Sequence, residues 1–267
     1  MEHRSGDIWA EGDAYERFIG RWSRAVALEF VRWLRIAPGS AWFDVGCGTG
    51  ALVDAVLHEA SPRSVLGVDR SPGFVHRARQ QIDSPLASFE VGDALALPVR
   101  SDTFDVVVSG LVINFIDDPL AMVAEMARAA RPRGAVGLYV WDYASGMQLL
   151  RAFWDAARVI DPASRDLDEG LRFPLCAPDR LEALLTSAGL TNIAARAIEV
   201  RTRFADFDDL WSPFLGGQGP APTYVAALPE RTRLALREGL RSALPIGPDG
   251  SIALDARAWA VTGRTAG

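Results

Sequence analysis

The stretch Ala41-Trp-Phe-Asp-Val-Gly-Cys-Gly-Thr-Gly50 constrains what this chain can fold into more than any other segment. Its first half, residues 41–45, predicts a buried strand, and the alternating glycines that follow predict a tight turn into a helix near Gly50. Glycine lets the backbone bend sharply and lets a ligand approach with no Cβ in the way. The start of the helix adds unpaired N–H groups that attract an anionic group. Several nucleotide-binding folds share such a turn, so the turn alone does not choose among them.

The spacing of the glycines and of three acidic residues narrows the choice. The glycines run G-x-G-x-G, whereas the dinucleotide-binding fingerprint is G-x-G-x-x-G. Asp69 ends a predicted strand at 64–69, where a parallel sheet places a carboxylate that accepts hydrogen bonds from ribose hydroxyls. Asp93 follows a third predicted strand, 87–91, and its carboxylate can accept from the exocyclic amine of adenine. Because Asp44 would repel a pyrophosphate, the pattern indicates a pocket for an adenosine that carries no phosphate.

Four segments in this order resemble the motif series of class I S-adenosylmethionine-dependent methyltransferases. They are Phe43-Asp-Val-Gly-Cys-Gly-Thr-Gly50, Gly67-Val-Asp69, Gly92-Asp-Ala94 and Phe104-Asp-Val-Val-Val-Ser109. The chain is most similar to the type 11 group, which includes the ubiquinone- and menaquinone-biosynthesis-type enzymes. The resemblance covers roughly residues 10–142, with a weaker match from 175 to 264.

The resemblance implies an α/β, Rossmann-like fold with a mostly parallel seven-stranded sheet, an antiparallel final strand and helical lid insertions. We expect one methyltransferase domain over residues 1–267. Its parts are an N-terminal helix at 13–35, a cofactor-binding core at 41–142 and substrate-lid insertions at 143–177 and 205–250.

The resemblance also implies that S-adenosyl-L-methionine is the cofactor. Asp44 would face the methionine amino group, Asp69 the ribose, and Asp93 with the Ala94 backbone the adenine. Arg21, or alternatively Arg17, would pair with the methionine carboxylate. The residues expected to bind the cofactor are Asp44, Gly46, Cys47, Gly48, Gly50, Asp69, Arg70, Asp93, Ala94, Ser109, Gly110 and Arg21.

The residues expected to contact the methyl acceptor are Tyr15, Asn114, Trp211 and Phe214. Several family members carry a histidine after the fourth strand, where this chain has Asn114, and an amide side chain cannot take a proton. No catalytic residue is therefore assigned, and the type of acceptor stays open. Two alternatives exist for the aromatic side chains of the insertions, because they either pack small satellite cores or line an apolar substrate pocket.

Alternating hydrophobic patterns predict strands and helices along the rest of the chain. A glycine- and proline-rich stretch at 216–222 predicts a flexible loop. The predicted strands are 41–45, 64–69, 87–91, 104–109, 135–141, 192–203 and 252–262, and the predicted helices beyond 13–35 are 50–59, 73–82, 119–131, 178–188 and 223–243.

Composition excludes several other kinds of chemistry. The net charge is −6 and no dense arginine tract is present, so nucleic acid is not an expected partner. All 28 basic residues are arginine, which excludes a lysine Schiff base or a P-loop lysine. The three histidines and two cysteines lack zinc-ligand spacing, so we expect no metal. Cys47 and Cys176 form no disulfide framework, which favours a reducing compartment, the cytoplasm.

The N-terminus lacks the apolar region of a signal peptide, and no apolar run reaches the roughly 18 residues of a membrane span. The sequence does not predict an oligomeric state.

The function expected from the sequence is methyl transfer from S-adenosylmethionine to a small organic molecule. One alternative is a protein that binds this cofactor without transferase activity, because the pocket motifs do not report turnover. A weaker alternative is a nicotinamide-dependent oxidoreductase. Displacement at a sulfonium depends mainly on proximity, alignment and exclusion of water, and a base is needed only when the acceptor is weakly acidic.

Overall fold

The structure is a computed structural model, and it describes residues 20–216 and 219–267. Those residues contain a seven-stranded sheet. Its strands are β1 (Ala41–Val45), β2 (Ser64–Asp69), β3 (Ala87–Val91), β4 (Phe104–Gly110), β5 (Ala130–Trp141), β6 (Thr191–Phe204) and β7 (Ile252–Arg264).

The strand order across the sheet is β3-β2-β1-β4-β5-β7-β6. Strands β1 to β5 pair in parallel, and β7 pairs antiparallel to β5. The chain runs outward from β1 to β3 and then returns to place β4 on the other side of β1. Open α/β sheets bind ligands outside the carboxyl ends of the strands at such a reversal. The predicted fold class is confirmed.

Helices connect the strands and fill the two long insertions. They are α1 (Arg21–Leu34), α2 (Ala51–Glu59), α3 (Pro72–Gln81), α4 (Pro119–Ala129), α5 (Gln148–Ile160), α6 (Glu169–Arg172), α7 (Pro178–Ser187), α8 (Phe207–Trp211), α9 (Pro220–Ala227) and α10 (Glu230–Ala243). Short 3₁₀ turns occupy Ile113–Phe115, Pro162–Leu167 and Ser212–Gly216.

The elements near the site have simple local causes. Every residue of β1 is buried, as expected of a central parallel strand whose two faces are both covered. Helix α3 begins where the Ser71 hydroxyl accepts from the Phe74 N–H, and helix α4 begins where Asp118 accepts from the Ala121 N–H. A proline follows each cap at the first helical position, where its missing N–H costs nothing.

The chain divides into two compact units. The core unit comprises Ser23–Trp141, Leu175–Ile198 and Ala258–Gly267. The insertion unit comprises Asp142–Pro174, Glu199–Arg257 and the described residues up to Trp22.

An aromatic cluster fills the interior of the insertion unit. Phe153 stacks on Phe214 with ring centres 4.7 Å apart and an angle of 8° between the rings. Trp154 and Tyr224 pack beside them with ring centres 5.7 Å apart. Trp211 lies 5.6 Å from Phe214. These contacts are those of the satellite core that the sequence left as one of two alternatives.

The sequence predictions for the insertions need correction in part. The helix predicted at 223–243 is two helices, α9 and α10, because Pro229 lacks an N–H and clashes with a preceding helical turn. The loop predicted at 216–222 overlaps the first turn of α9, where Pro220 and Pro222 are buried, and residues 217–218 lie outside the described residues. Residues 143–177, expected as a helical insertion without assigned helix bounds, contain the long helix α5.

The N-terminal helix predicted at 13–35 is seen from Arg21 to Leu34, and residues 13–19 lie outside the described residues. No helix in the described ranges combines the length and the apolar character that crossing a membrane requires.

Candidate functional site

Two glycines of the turn after β1 are required by close packing. Gly46 has φ +78°, and a Cβ there would lie 2.5 Å from Val112 Cγ2. Gly50 has φ +96°, and a Cβ there would lie 2.5 Å from Ile82 Cδ1. Both positions combine a left-handed backbone with a close neighbour, so a larger residue would strain the turn in two ways.

Gly48, which lies between them in the turn, has open space on the side where a Cβ would be. Its φ is +52°, and a Cβ built there would meet no atom within 4 Å. Its N–H donates to Asp69 Oδ2 over 2.9 Å. The middle of the turn is therefore an open surface on which a ligand can lie against the backbone.

Asp44 is the least satisfied polar group of the site. It lies in β1, is 1% exposed, and neither carboxylate oxygen has a hydrogen-bond partner among the described residues. Burial and the nearby Asp69 charge raise the pKa of the Asp44 carboxyl to about 8. A buried carboxylate without a partner is unfavourable unless a cationic group compensates its charge. The position therefore fits a ligand that brings an ammonium group.

Asp69 differs from Asp44 because both of its oxygens accept hydrogen bonds. Oδ2 accepts from the Gly48 N–H over 2.9 Å, and Oδ1 accepts from the Ser71 N–H over 2.8 Å. Burial raises the pKa of Asp69, and the two backbone hydrogen bonds oppose that rise. Each carboxylate oxygen has a second lone pair, so the group can still accept from a hydroxyl. Asp69 thus fixes the turn after β1, a role the sequence did not reveal.

Asp93 and its neighbours lie after β3, the outer parallel strand. The Asp93 side chain is exposed, and its Oδ1 accepts from the Leu95 N–H over 2.9 Å. Ala94 is half-buried beside it, and Arg70, which follows Asp69, is exposed. Adenine contact by these residues stays a prediction.

The end of β4 supplies the other wall of the turn. The Ser109 hydroxyl is buried and donates to the Val45 carbonyl over 2.7 Å, which ties the carboxyl ends of β4 and β1 together. Gly110 ends the strand, and Leu111 follows with φ +63°, a value uncommon for leucine. Cofactor contact by Ser109 and Gly110 stays a prediction.

Asn114 lies in the 3₁₀ turn Ile113–Phe115 that follows β4. Its Nδ2 is buried and has no hydrogen-bond partner in the part of the chain that the structure describes. An unsatisfied buried amide donor is uncommon in folded proteins and calls for a partner that the chain itself does not supply. This is the position at which the sequence predicted acceptor contact.

Cys47 is a packing residue in this geometry. It is 6% exposed, and burial together with the Asp44 and Asp69 charges raises the pKa of its thiol, so a reactive thiolate is disfavoured. A Cβ on Gly67 would lie 3.0 Å from Cys47 Sγ and 2.8 Å from the Phe89 ring. Sequence reasoning missed this role of Gly67, although an isolated glycine inside a strand signals a close approach.

The other predicted site residues are Trp211, Phe214, Arg21 and Tyr15. Trp211 and Phe214 are buried in the insertion unit, at 5% and 0% exposure. Arg21 begins α1, and Tyr15 lies outside the described residues. Within residues 20–216 and 219–267, no group of three or more histidine, cysteine or acidic side chains is arranged to hold a metal ion.

Comparison with known proteins agrees with this geometry. The methyltransferase-domain family matches residues 43–138. A malonyl-[acyl-carrier protein] O-methyltransferase of Hahella chejuensis is 35% identical over 91 residues, 34% of this chain and 33% of that protein. A 2-methyl-6-phytyl-1,4-hydroquinone methyltransferase of Synechocystis is 29% identical over 192 residues, 69% of this chain and 57% of that protein.

Solved structures share the fold. A methyltransferase structure from Bacillus halodurans matches with a TM-score of 0.59 at 14% identity, covering 90% of this chain and 99% of that one. The chain spans less than two thirds of the length of the relatives it matches by sequence. Residues 43–138, less than half of the chain, are similar to the methyltransferase-domain family. The fold is that of the class I S-adenosylmethionine-dependent methyltransferases.

Proposed function

We propose that this protein transfers a methyl group from S-adenosylmethionine to a small organic molecule. The observation that carries the proposal is the buried Asp44 carboxylate, which has no partner among the described residues and lies in β1, the strand that leads into the glycine turn. The ammonium of the cofactor's methionine portion would neutralise Asp44. The second lone pairs of Asp69 would accept from the ribose hydroxyls.

In this proposal the cofactor supplies a methyl group on a sulfonium, and the chain supplies binding, orientation and exclusion of water. Asp44 and Asp69 hold the ends of the methionine and ribose portions, and Asp93 accepts from the adenine amine. Asn114 orients the acceptor by donating a hydrogen bond from its unsatisfied Nδ2. No general base is assigned, because an amide cannot remove a proton.

We also propose that the chain works as one methyltransferase domain whose insertions select the acceptor. The boundaries of the insertion unit, Asp142–Pro174 and Glu199–Arg257, nearly coincide with the insertions expected at 143–177 and 205–250. Every predicted cofactor residue between Asp44 and Gly110 lies in the core unit. This division of residues supports a division of labour between cofactor binding and acceptor selection.

The acceptor we propose is a small organic molecule and not a nucleic acid. One relative is named for a hydroquinone substrate. The net charge of −6 disfavours a polyanionic substrate. Both cysteines are free and buried, which supports work in a reducing compartment such as the cytoplasm.

The test has a binding step and a turnover step. S-adenosylhomocysteine should raise the melting temperature of the wild-type protein, because a ligand of the native state stabilises it, whereas NAD should not. Asp44→Asn should lose most of that shift. Asp54→Asn, a matched change at a partly exposed carboxylate on α2, should keep it.

Turnover is then measured by transfer of label from S-adenosylmethionine to a panel of phenols, quinols, amines and carboxylic acids. Labelled product from at least one class supports the proposal. Cofactor binding with no transfer to any class would favour the binding-protein alternative. A melting shift with NAD and none with S-adenosylhomocysteine would favour the oxidoreductase.

A further inference from the structure

A groove in the insertion unit combines apolar walls with a cation that no carboxylate of the described residues neutralises. Of the residues expected to contact the methyl acceptor, Trp211 lies in its wall. Its volume is about 460 Å³. Small-molecule sites span about 300–1,000 Å³, so the groove has the size of one. Its walls are the end of α8, the 3₁₀ turn Ser212–Gly216, α9 and α10, all within the insertion unit.

The apolar part of the groove includes two exposed leucines. Leu215 is 56% exposed and Leu234 is 55% exposed, and both line the groove. Trp211 and Val225, which are buried, form the deeper wall. A cluster of exposed apolar side chains with polar neighbours marks an interaction site more often than a single exposed leucine does.

Two arginines one helical turn apart on α10 give the groove its charge. The Arg237 guanidinium pairs with Asp208 over 2.6 Å and with Glu238 over 3.0 Å. It also lies 5.0 Å from the centre of the Phe207 ring. The charge of Arg237 is therefore already compensated by the chain.

Arg233 is different. It is half-buried in the groove, and no carboxylate pairs with it in the part of the chain that the structure describes. A guanidinium that has lost part of its hydration without gaining a partner favours an anion, and its planar fork fits a carboxylate with two parallel hydrogen bonds. The groove thus offers one cationic contact at the side of an apolar surface.

We propose that this groove binds an amphiphilic monoanion, an apolar chain or ring that carries one carboxylate. The carboxylate pairs with Arg233, and the apolar part covers Leu215, Leu234 and Trp211. This site is separate from the residues assigned to the cofactor and does not depend on methyl transfer. Its occupant is a small molecule because the groove is concave and limited in volume.

The experiment uses decanoate as the probe, with decanol as the uncharged analogue, and the full chain without cofactor. Calorimetry should give saturable decanoate binding at one site per chain, and decanol should bind at least tenfold more weakly. Arg233→Gln should weaken decanoate binding at least tenfold. Arg231→Gln removes the same charge from an exposed position outside the groove on the same helix and should leave the affinity within twofold.

Leu234→Asp places a carboxylate on the apolar wall and should also weaken decanoate binding at least tenfold. All variants are compared only after their melting temperatures are shown to match the wild type, because Arg233, Leu234 and Arg231 are not fully buried. Absence of saturable binding to the wild type, or equal losses in Arg231→Gln and Arg233→Gln, would overturn the proposal. A concentration-dependent dimer that disappears in Leu234→Asp would overturn it too, since the groove would then be an interface between two copies.

Discussion

Asp44 and Asp69 are neighbouring carboxylates in opposite states. Asp69 accepts two backbone hydrogen bonds, whereas Asp44 accepts none from the described residues. The pKa of Asp44 is consequently raised to about 8, so its carboxyl group is protonated in most molecules at neutral pH. Binding of a cationic group must then remove that proton.

The first prediction is that S-adenosylhomocysteine binds more tightly as the pH rises from 6 to 8. Only ionised Asp44 can pair with the ligand's ammonium, so the affinity should rise by up to about tenfold per pH unit below the pKa. Calorimetry in two buffers with different ionisation heats should show release of about one proton per ligand at pH 7. Asp44→Asn is the control. It should bind S-adenosylhomocysteine weakly, and its affinity should not change with pH. If the affinity of Asp44→Asn for S-adenosylhomocysteine rises with pH as steeply as that of the wild type, another group causes the pH dependence.

The second prediction separates the two roles of Asp69. Asp69→Ala should weaken S-adenosylhomocysteine binding by about 1–3 kcal/mol, because ribose hydroxyls lose their acceptor. It should also lower the melting temperature, because the Gly48 and Ser71 N–H groups lose theirs. The wild type should prefer the natural ligand to its 2′-deoxy analogue, and the variant should not. A folded Asp69→Ala that keeps both its affinity and this preference contradicts the ribose assignment.

At the scale of elements, the sequence predicted the parallel strands well and the insertions poorly, for a physical reason. Strands such as β1 are covered on both faces, so they read as continuous apolar runs with clear ends. Helix α5 carries a comparable signal, with Leu149, Phe153 and Ala157 buried at four-residue steps, but the sequence prediction gives only an insertion there, without helix bounds. Pro220 contributes to the loop signal at 216–222, although proline also suits the first turn of a helix, where the structure places it.

At the site, too, the sequence predicts some features and not others. The positions of Asp44, Asp69 and Asp93 at strand ends follow from the chain order alone. The unsatisfied state of Asp44 and Asn114 does not, because it depends on which partners the folded chain brings near them. The contact of Gly67 with Cys47 depends on the register of β1 and β2, which pairs Asp44 with Gly67. Register is a property of the sheet and not of either strand.

The third prediction tests that inter-strand contact. Gly67→Ala should lower the free energy of unfolding by about 1–3 kcal/mol, because the added Cβ would press on Phe89 and Cys47 in a filled space. Gly73→Ala is the matched control in α3, where the nearest atom to the new Cβ is Ser71 Oγ at 3.7 Å. It should be neutral or raise the stability by about 0.4–1 kcal/mol. Urea titrations of both variants measure the difference, and equal effects would contradict the packing argument.

At the scale of the whole molecule, a buried carboxyl in the insertion unit couples stability to pH. Glu169 is 3% exposed and accepts a hydrogen bond from Trp154 Nε1. Burial raises the pKa of Glu169 from 4.5 to about 7, with the Asp168 charge adding to the rise and Arg151 opposing it. The folded state therefore favours the protonated acid, and this contribution to stability is lost as the pH rises through about 7.

The fourth prediction follows from that sign. Glu169→Gln keeps a hydrogen-bond acceptor for Trp154 but removes the titration. On lowering the pH from 8 to 5, the wild type should gain stability relative to Glu169→Gln by an amount on the order of 3 kcal/mol. Urea unfolding at a series of pH values measures the gap between the two proteins. A gap that does not change with pH would show that Glu169 titrates normally.

The fifth prediction concerns how far the insertion unit acts on its own. Phe214 is 0% exposed and stacks on Phe153, so Phe214→Ala should cost about 3–5 kcal/mol of stability by opening a cavity. Below its lowered melting temperature, the variant should bind S-adenosylhomocysteine within twofold of the wild type, because the predicted cofactor residues from Asp44 to Gly110 lie in the core unit. Val159→Ala, a change at a position that is 85% exposed in the same unit, is the control and should alter neither quantity. If instead cofactor affinity falls in step with stability in Phe214→Ala, the two units do not divide the labour, and acceptor selection cannot be assigned to the insertions alone.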